Sequence, residues 1–136
     1  MKKVSIGLLA GAMMLIISIL IGQIFQYLLP SIKAEYENPN LFRPWADPKM
    51  LLYFFEPFVL GVILAWVWGL TKDVLKGKNT TQKALYFGLT YWATTFPGML
   101  MSYSSFPLSA IIVVSWSIIG LFQTISAGFI FSKLLK

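Results

Sequence analysis

Four long apolar runs, separated by polar segments, make up most of the chain. They cover approximately residues 4–29, 50–71, 84–103 and 108–131. Each run has about the 20 residues that a helix needs to cross the hydrocarbon core of a bilayer. The runs are continuous, whereas a strand of a membrane β-barrel would alternate over about ten residues. The pattern predicts an all-α integral membrane protein, a single domain over residues 1–136 that folds as an antiparallel bundle of four transmembrane helices.

Composition favours the same class. The 136 residues are 57% hydrophobic and 12% charged, against about 25% charged residues in soluble proteins. The chain has no cysteine and no histidine, which excludes thiolate chemistry, bis-histidine haem and histidine-based zinc sites from its own side chains. We therefore expect no metal site and no cofactor. The net charge of +6 does not predict nucleic-acid binding, because the basic residues lie between and beside the apolar runs.

The distribution of these basic residues predicts the orientation. In the four-span arrangement three of them, Lys33, Arg43 and Lys49, fall on one side. Cytoplasmic loops carry an excess of lysine and arginine, so both termini are predicted to be cytoplasmic. The first run is longer than a signal-peptide core and is interpreted as an uncleaved anchor. The eight residues on the cytoplasmic side are Lys2, Lys3, Lys72, Lys76, Lys78, Lys83, Lys133 and Lys136.

The outer loop between the first two spans, "PSIKAEYENPNLFRPWADPK", contains four prolines. Proline restricts its own backbone and that of the residue before it, so this loop is predicted to be ordered. Arg43 lies four residues before Asp47, with Trp45 between them. These three residues are candidates for a lid over the outer end of the bundle. An interfacial segment anchored by Phe42 and Trp45 is an alternative.

The second span contains an acidic residue in the stretch "YFFEPFVLG". Glu56 lies six residues inside the span, or about 9 Å at 1.5 Å per residue. A charge at the centre of a membrane helix costs about 2.5–3.5 kcal/mol on insertion scales, so Glu56 is expected to face the bundle or a wet cavity. Pro57 is predicted to kink the span. If the helix began at Pro57 instead, only about 22 Å would remain to Thr71.

Other polar residues fall at a similar depth, and we predict that they line a polar pocket with Glu56 in the outer half of the bundle. Pro97 is expected to kink the third span. The inner half is poorer in polar residues, with chiefly Gln123, Thr124 and Ser126. An alternative is that Glu56 hydrogen-bonds to Gln23 or to a hydroxyl group and only fixes the helix register. The pocket candidates are Gln23, Gln26, Thr94, Thr95, Ser102, Ser115 and Trp116.

An outer loop with "FRPWADPKM", a short basic turn before "ALYFGLTYW" and a closing span after "SSFPLSA" resemble a group of small bacterial membrane proteins with four helices. The resemblance implies the four-helix fold and a bacterial inner membrane, and it implies no activity or catalytic residue. In size and in having a membrane-embedded glutamate, the chain is also similar to small multidrug transporters. Their glutamate lies in the first helix, whereas Glu56 lies in the second.

Two functions follow as hypotheses. The first is an outward-facing pocket around Glu56 that binds or carries a small molecule, an ion or a proton, with a homodimer needed to complete a transport path. The second is a non-catalytic assembly or accessory subunit, or a self-oligomerising scaffold, in which Glu56 is structural. Membrane lipids, a second copy of the chain or a larger membrane complex are the expected partners. An enzyme is not expected, since serine and threonine would have Glu56 as their only base.

Overall fold

The computed structural model describes residues 1–135. Lys136, one of the eight basic residues predicted to be cytoplasmic, lies outside the described residues. The described residues form helices and no strand, which confirms the predicted all-α class. A 3-10 turn, Pro48–Met50, leads into the third helix. The helices are α1 (Lys2–Leu28), α2 (Pro30–Tyr36), α3 (Leu51–Thr71), α4 (Thr80–Thr94), α5 (Phe96–Ser105) and α6 (Ala110–Leu134).

Three helical segments are long and apolar enough to cross a membrane, namely Lys2–Leu28, Pro48–Thr71 and Ala110–Leu134. These three segments indicate a membrane protein. Pro57 lies inside the second segment, and α3 continues through it rather than beginning there.

The third apolar run differs from the expected single helix. The range 84–103 is divided between α4 and α5, which meet at Thr95. Pro97 stands at the start of α5, where its missing N–H and its clash with the preceding turn oppose a continuous helix. The two helices have 15 and 10 residues, so each alone is shorter than the bilayer core.

Helices α1 and α3 pack with their backbones in direct contact. A Cβ atom on Gly61 would lie 2.7 Å from the Gly11 nitrogen and closer still to the Gly7 carbonyl oxygen. Small residues permit this approach between membrane helices, where dispersion contacts replace the hydrophobic effect. Because Gly7 is next to Val62 and Gly11 is next to Phe58, the two helices run antiparallel.

A similar contact joins α4 to α6. A Cβ on Gly88 would lie 2.7 Å from the Ile125 Cα, and one on Gly128 would lie 2.5 Å from the Ala84 carbonyl oxygen. Helix α6 also packs along α1, whereas α3 touches α6 only slightly. The backbones therefore pack in the order α3, α1, α6, α4, and the Phe87 ring of α4 also packs on the Trp68 ring of α3, with 5.2 Å between the ring centroids.

Two apolar clusters close the two ends of the fold. At one end, which we call the terminal end, the Trp68 indole donates to the Leu135 carbonyl (3.1 Å) and Lys3 lies beside Gly69. The other, the loop end, is made by residues 29–50 and 106–109. The terminal-end cluster consists of Ala10, Met14, Leu64, Ala65, Trp68, Phe87, Ala127, Phe131 and Leu135. The loop-end cluster consists of Ile32, Leu108, Ile112 and Val113.

Candidate functional site

A cavity of about 340 Å³ lies between α1, α3 and α6, below the segment that joins α2 to α3. It forms because α3 and α6 both pack on α1 but hardly on each other. Gly22 adds to the space, since no atom lies within 4 Å of where its Cβ would be. The helices contribute Ser18, Gly22, Gln26, Tyr53, Glu56, Pro57, Trp116, Ile119 and Gln123, and the loop end contributes Tyr36, Phe42, Arg43, Trp45 and Met50.

Glu56 is the acidic residue of the cavity wall, and its side chain stands at an exposed edge of α3. The ion pairs among residues 1–135 are Lys33–Glu37 and Arg43–Asp47, so the Glu56 carboxylate has no ion-pair partner there. It also accepts no hydrogen bond from the described residues, including Gln23. A carboxylate has about four lone-pair sites that attract donors. Glu56 therefore presents an unused acceptor to the cavity.

The segment above the cavity is held by a charged pair. The Arg43 guanidinium donates to the Asp47 carboxylate (Nη1–Oδ2 3.0 Å). Asp47 also accepts from the Lys49 backbone N–H (2.9 Å). These two donors, the Lys49 N–H first and Arg43 second, lower the pKa of Asp47 below its ordinary value. The Trp45 ring packs edge-on against Tyr53 at 5.6 Å, which places this segment over the loop end of α3.

A second contact ties α2 to α6 at the cavity wall. The Trp116 indole donates to the Tyr36 hydroxyl at 2.6 Å. The Phe42 ring lies near both, at 5.1 Å from the Tyr36 ring and 6.1 Å from the Trp116 ring. Burial raises the pKa of Tyr36, and the hydrogen bond from Trp116 opposes that rise. Tyr36 is therefore a neutral acceptor in the physiological range.

The floor of the cavity is polar and joins α1 to α6. The Gln123 side-chain amide donates to the Met14 carbonyl (3.1 Å). The Ser18 hydroxyl donates to the Leu15 carbonyl of its own helix (3.0 Å). From its position along the fourth span, Gln123 was predicted to lie in the inner half of the bundle, whereas in the structure it lines the cavity.

The structure brings six of the candidate residues to this cavity. It leaves seven others outside the cavity lining, namely Gln23 on α1, Asp47 in the loop end, Ser115 on α6, and Thr94, Thr95, Pro97 and Ser102 on or between α4 and α5. The hydroxyls of Thr94, Thr95, Ser102 and Ser115 all donate to carbonyls three or four residues earlier in their own helices, which satisfies them without a pocket. Gln23 is exposed on α1. The six at the cavity are Gln26, Arg43, Trp45, Glu56, Pro57 and Trp116.

Sequence reasoning missed much of the aromatic lining. It ranked pocket residues by polarity and depth, so Tyr36 and Tyr53 were not selected and Phe42 was named only as an interfacial anchor. Helical spacing contained a usable signal, because Ser18, Gly22 and Gln26 recur every four residues and share one face of α1. No spacing rule places the loop residues, since their positions depend on the fold of residues 29–50.

Comparisons of the chain with protein-family models, with curated proteins and with solved structures find no match. Among residues 1–135, no group of three or more acidic side chains is placed to hold a metal ion. One unpaired carboxylate beside several aromatic faces is a setting that suits an organic cation.

Proposed function

We propose that this chain is a small integral membrane protein that binds an organic cation in an outward-facing cavity, with the cation held at Glu56. In this proposal the protein crosses the membrane four times, with α4 and α5 together as the third crossing and both termini in the cytoplasm. The excess of lysine at the terminal end supports the orientation. The bacterial inner membrane is the proposed location.

The observation that carries the proposal is the unpaired carboxylate of Glu56 on the wall of a 340 Å³ cavity. The other charge on the wall, Arg43, is already paired with Asp47 at 3.0 Å. When Glu56 is ionised, Arg43, Asp47 and Glu56 together carry a net charge of −1. Aromatic rings attract cations through the negative face of their π-system. The Tyr53 ring on α3 and the Trp116 ring on α6 also line the cavity, so they can add this attraction to that of the carboxylate.

A proton and a cation compete for the same carboxylate in this site. Protonation of Glu56 removes the charge that holds the cation, so binding weakens as the pH falls. A carrier can use this competition to release its cation. Binding and release of the cation would then both depend on the protonation state of the Glu56 carboxylate.

The experiment measures ethylammonium binding to the purified chain in nanodiscs, using tryptophan fluorescence. Glu56→Gln keeps the shape of the side chain and removes its charge. Charged hydrogen bonds contribute about 1.5–3 kcal/mol, so the affinity should fall by roughly 10- to 100-fold. Glu37→Gln is the matched control, since it removes an exposed acid that does not line the cavity. Equal affinities for Glu56→Gln and the unaltered protein would rule out this function.

A second function, as an assembly or accessory subunit, is favoured by one observation. Helix α5 has no buried residue, and Leu100 and Met101 are among its exposed apolar side chains. A second chain that packs on α5 would cover them. Cross-linking in native membranes tests this function, because a chain recovered only as a monomer has no such partner.

A further inference from the structure

The exposed face of α3 carries a shallow apolar groove that begins at the cavity. Its residues recur at spacings of three and four, so they share one face of the helix. Glu56 belongs to both the groove and the cavity wall. The two surfaces are therefore continuous at this carboxylate. The groove residues are Leu52, Phe55, Glu56, Val59, Leu60 and Ile63.

This face of α3 is open because of how its neighbours pack. Helix α3 packs extensively on α1 and only slightly on α6. The third apolar run breaks at Thr95, and α5 makes no extensive contact with α3. Val59, near the middle of the groove, is 60% exposed. In a membrane-spanning helix such a surface faces acyl chains, so the groove meets the cavity wall at Glu56 on the side that faces the bilayer.

We propose that the ligand is an aliphatic amine that enters from the bilayer, with its ammonium group at Glu56 and its alkyl chain along the groove. The inference rests on the proposed function and specifies the class of cation. The groove from Glu56 to Ile63 is about 10 Å long at 1.5 Å per residue, which matches an alkyl chain of about eight carbons.

Charge complementarity selects this occupant over a neutral lipid chain. Glu56 is the charged residue of the groove, and the other five residues are apolar. A molecule with a positive head and an apolar tail matches both parts, whereas a hydrocarbon alone leaves the carboxylate without a partner. An ionised carboxylate without a partner in a membrane is costly. The cationic head therefore supplies the attraction, and the groove supplies dispersion contacts for the tail.

The test compares ethylammonium, octylammonium and 1-octanol on the purified chain in nanodiscs, with concentrations expressed relative to lipid. Val59→Phe fills the groove without adding an indole to the fluorescence signal. Val114→Phe is the matched control, because Val114 lies on α6 and is 56% exposed. We expect Val59→Phe to weaken octylammonium binding about fivefold through lost tail contacts and to change the affinity for ethylammonium by less than twofold. Val114→Phe should not show this selective loss of octylammonium affinity.

The outcomes separate this inference from the proposed function. If Val59→Phe and Val114→Phe bind octylammonium equally, the groove does not hold the tail and the inference is overturned, even when Glu56→Gln weakens both amines. If Glu56→Gln weakens neither amine, or 1-octanol binds as tightly as octylammonium, the cation site itself is absent and the proposed function fails as well. Retained ethylammonium binding by Val59→Phe shows that this variant is folded.

Discussion

At the scale of single residues, the acidic side chains in the loop end and the nearby Glu56 of α3 differ in their partners. Glu35 accepts a hydrogen bond from the Ser109 backbone N–H (3.1 Å) at the start of α6. Glu37 pairs with Lys33, and Asp47 pairs with Arg43. Glu56 has neither kind of partner among the described residues. An unpaired acid in a membrane helix is costly, which makes Glu56 a candidate functional position.

The Trp116–Tyr36 hydrogen bond gives a prediction about stability. Tyr36→Phe removes the acceptor of the partly buried indole N–H, and an unsatisfied donor costs about 1–3 kcal/mol. We expect the free energy of unfolding to fall by about that amount, measured by thermal or denaturant unfolding in detergent. Tyr27→Phe is the control, because Tyr27 is 86% exposed. Equal stability of the two variants would show that the contact contributes nothing.

The paired Asp47 gives a prediction about pH. Its pKa is lowered in the folded protein by the Lys49 N–H and then by Arg43. The ionised form therefore contributes stability that is fully present above the ordinary value of 3.8 and is lost as the pH falls through the lowered pKa. Tryptophan fluorescence should change below pH 3.8 as the contact between Trp45 and Tyr53 loosens.

Two variants test this assignment. Asp47→Asn should abolish the acidic step in fluorescence. Arg43→Gln should move the step to higher pH without removing it, because the Lys49 N–H remains. Trp45→Phe tests whether the Trp45 ring reports the titration, since the acidic step in fluorescence should then be absent from this variant. An unchanged step in Asp47→Asn would assign the titration to another group.

At the scale of helices, the close approach of α1 and α3 at Gly61 gives a prediction about packing. Gly61→Ala places a methyl group against the backbone of α1, with Gly11 nitrogen at 2.7 Å. Backbone atoms cannot move aside as a flexible side chain can, and overpacking costs about 1–3 kcal/mol. We expect a loss of stability of that size in unfolding measurements. Gly120→Ala should be nearly neutral, because no atom lies within 4 Å of its added methyl group.

The helices themselves were predictable to different degrees. For the first, second and fourth runs, length and composition were sufficient to predict a helix, since a continuous apolar run of that length favours a helix under any packing. The third run was predicted as one helix with a kink, whereas it is two helices that meet at Thr95. Pro97 indicated that the helix would be irregular at this point, but a proline alone does not decide between a kinked helix and two separate helices.

The candidate site was less predictable than the helices. Depth along a helix can be counted from the sequence, and this count selected Gln26, Glu56 and Trp116. It also selected Thr94 and Ser102, because depth does not say which neighbour a helix faces. That information depends on contacts such as those of Gly61, which only the assembled fold supplies.

At the scale of the whole molecule, the orientation in the membrane is open to a direct test. The chain has no cysteine, so a single introduced cysteine is the only thiol. Asn40→Cys in the loop end should react with a membrane-impermeant maleimide added to intact cells. Lys76→Cys at the terminal end should react only after the membrane is permeabilised, because lysine-rich loops are retained in the cytoplasm.

Both cysteine positions are exposed, so protection reflects the membrane and not burial. Labelling of Lys76→Cys in intact cells, with Asn40→Cys protected, would reverse the proposed orientation. The cavity would then face the cytoplasm. Labelling of both in intact cells would place the two positions on the same side, so the single crossing by α3 between them would have to be abandoned.

The polar floor has a consequence for any movement of solute through the molecule. Below the Gln123–Met14 hydrogen bond the interior is filled by the terminal-end cluster, and packed side chains leave no path for a solute. Passage to the far side of the bilayer would require α1 and α6 to separate and that hydrogen bond to break. Locking these two helices together by a covalent cross-link should therefore stop translocation while leaving the loading of the cavity intact.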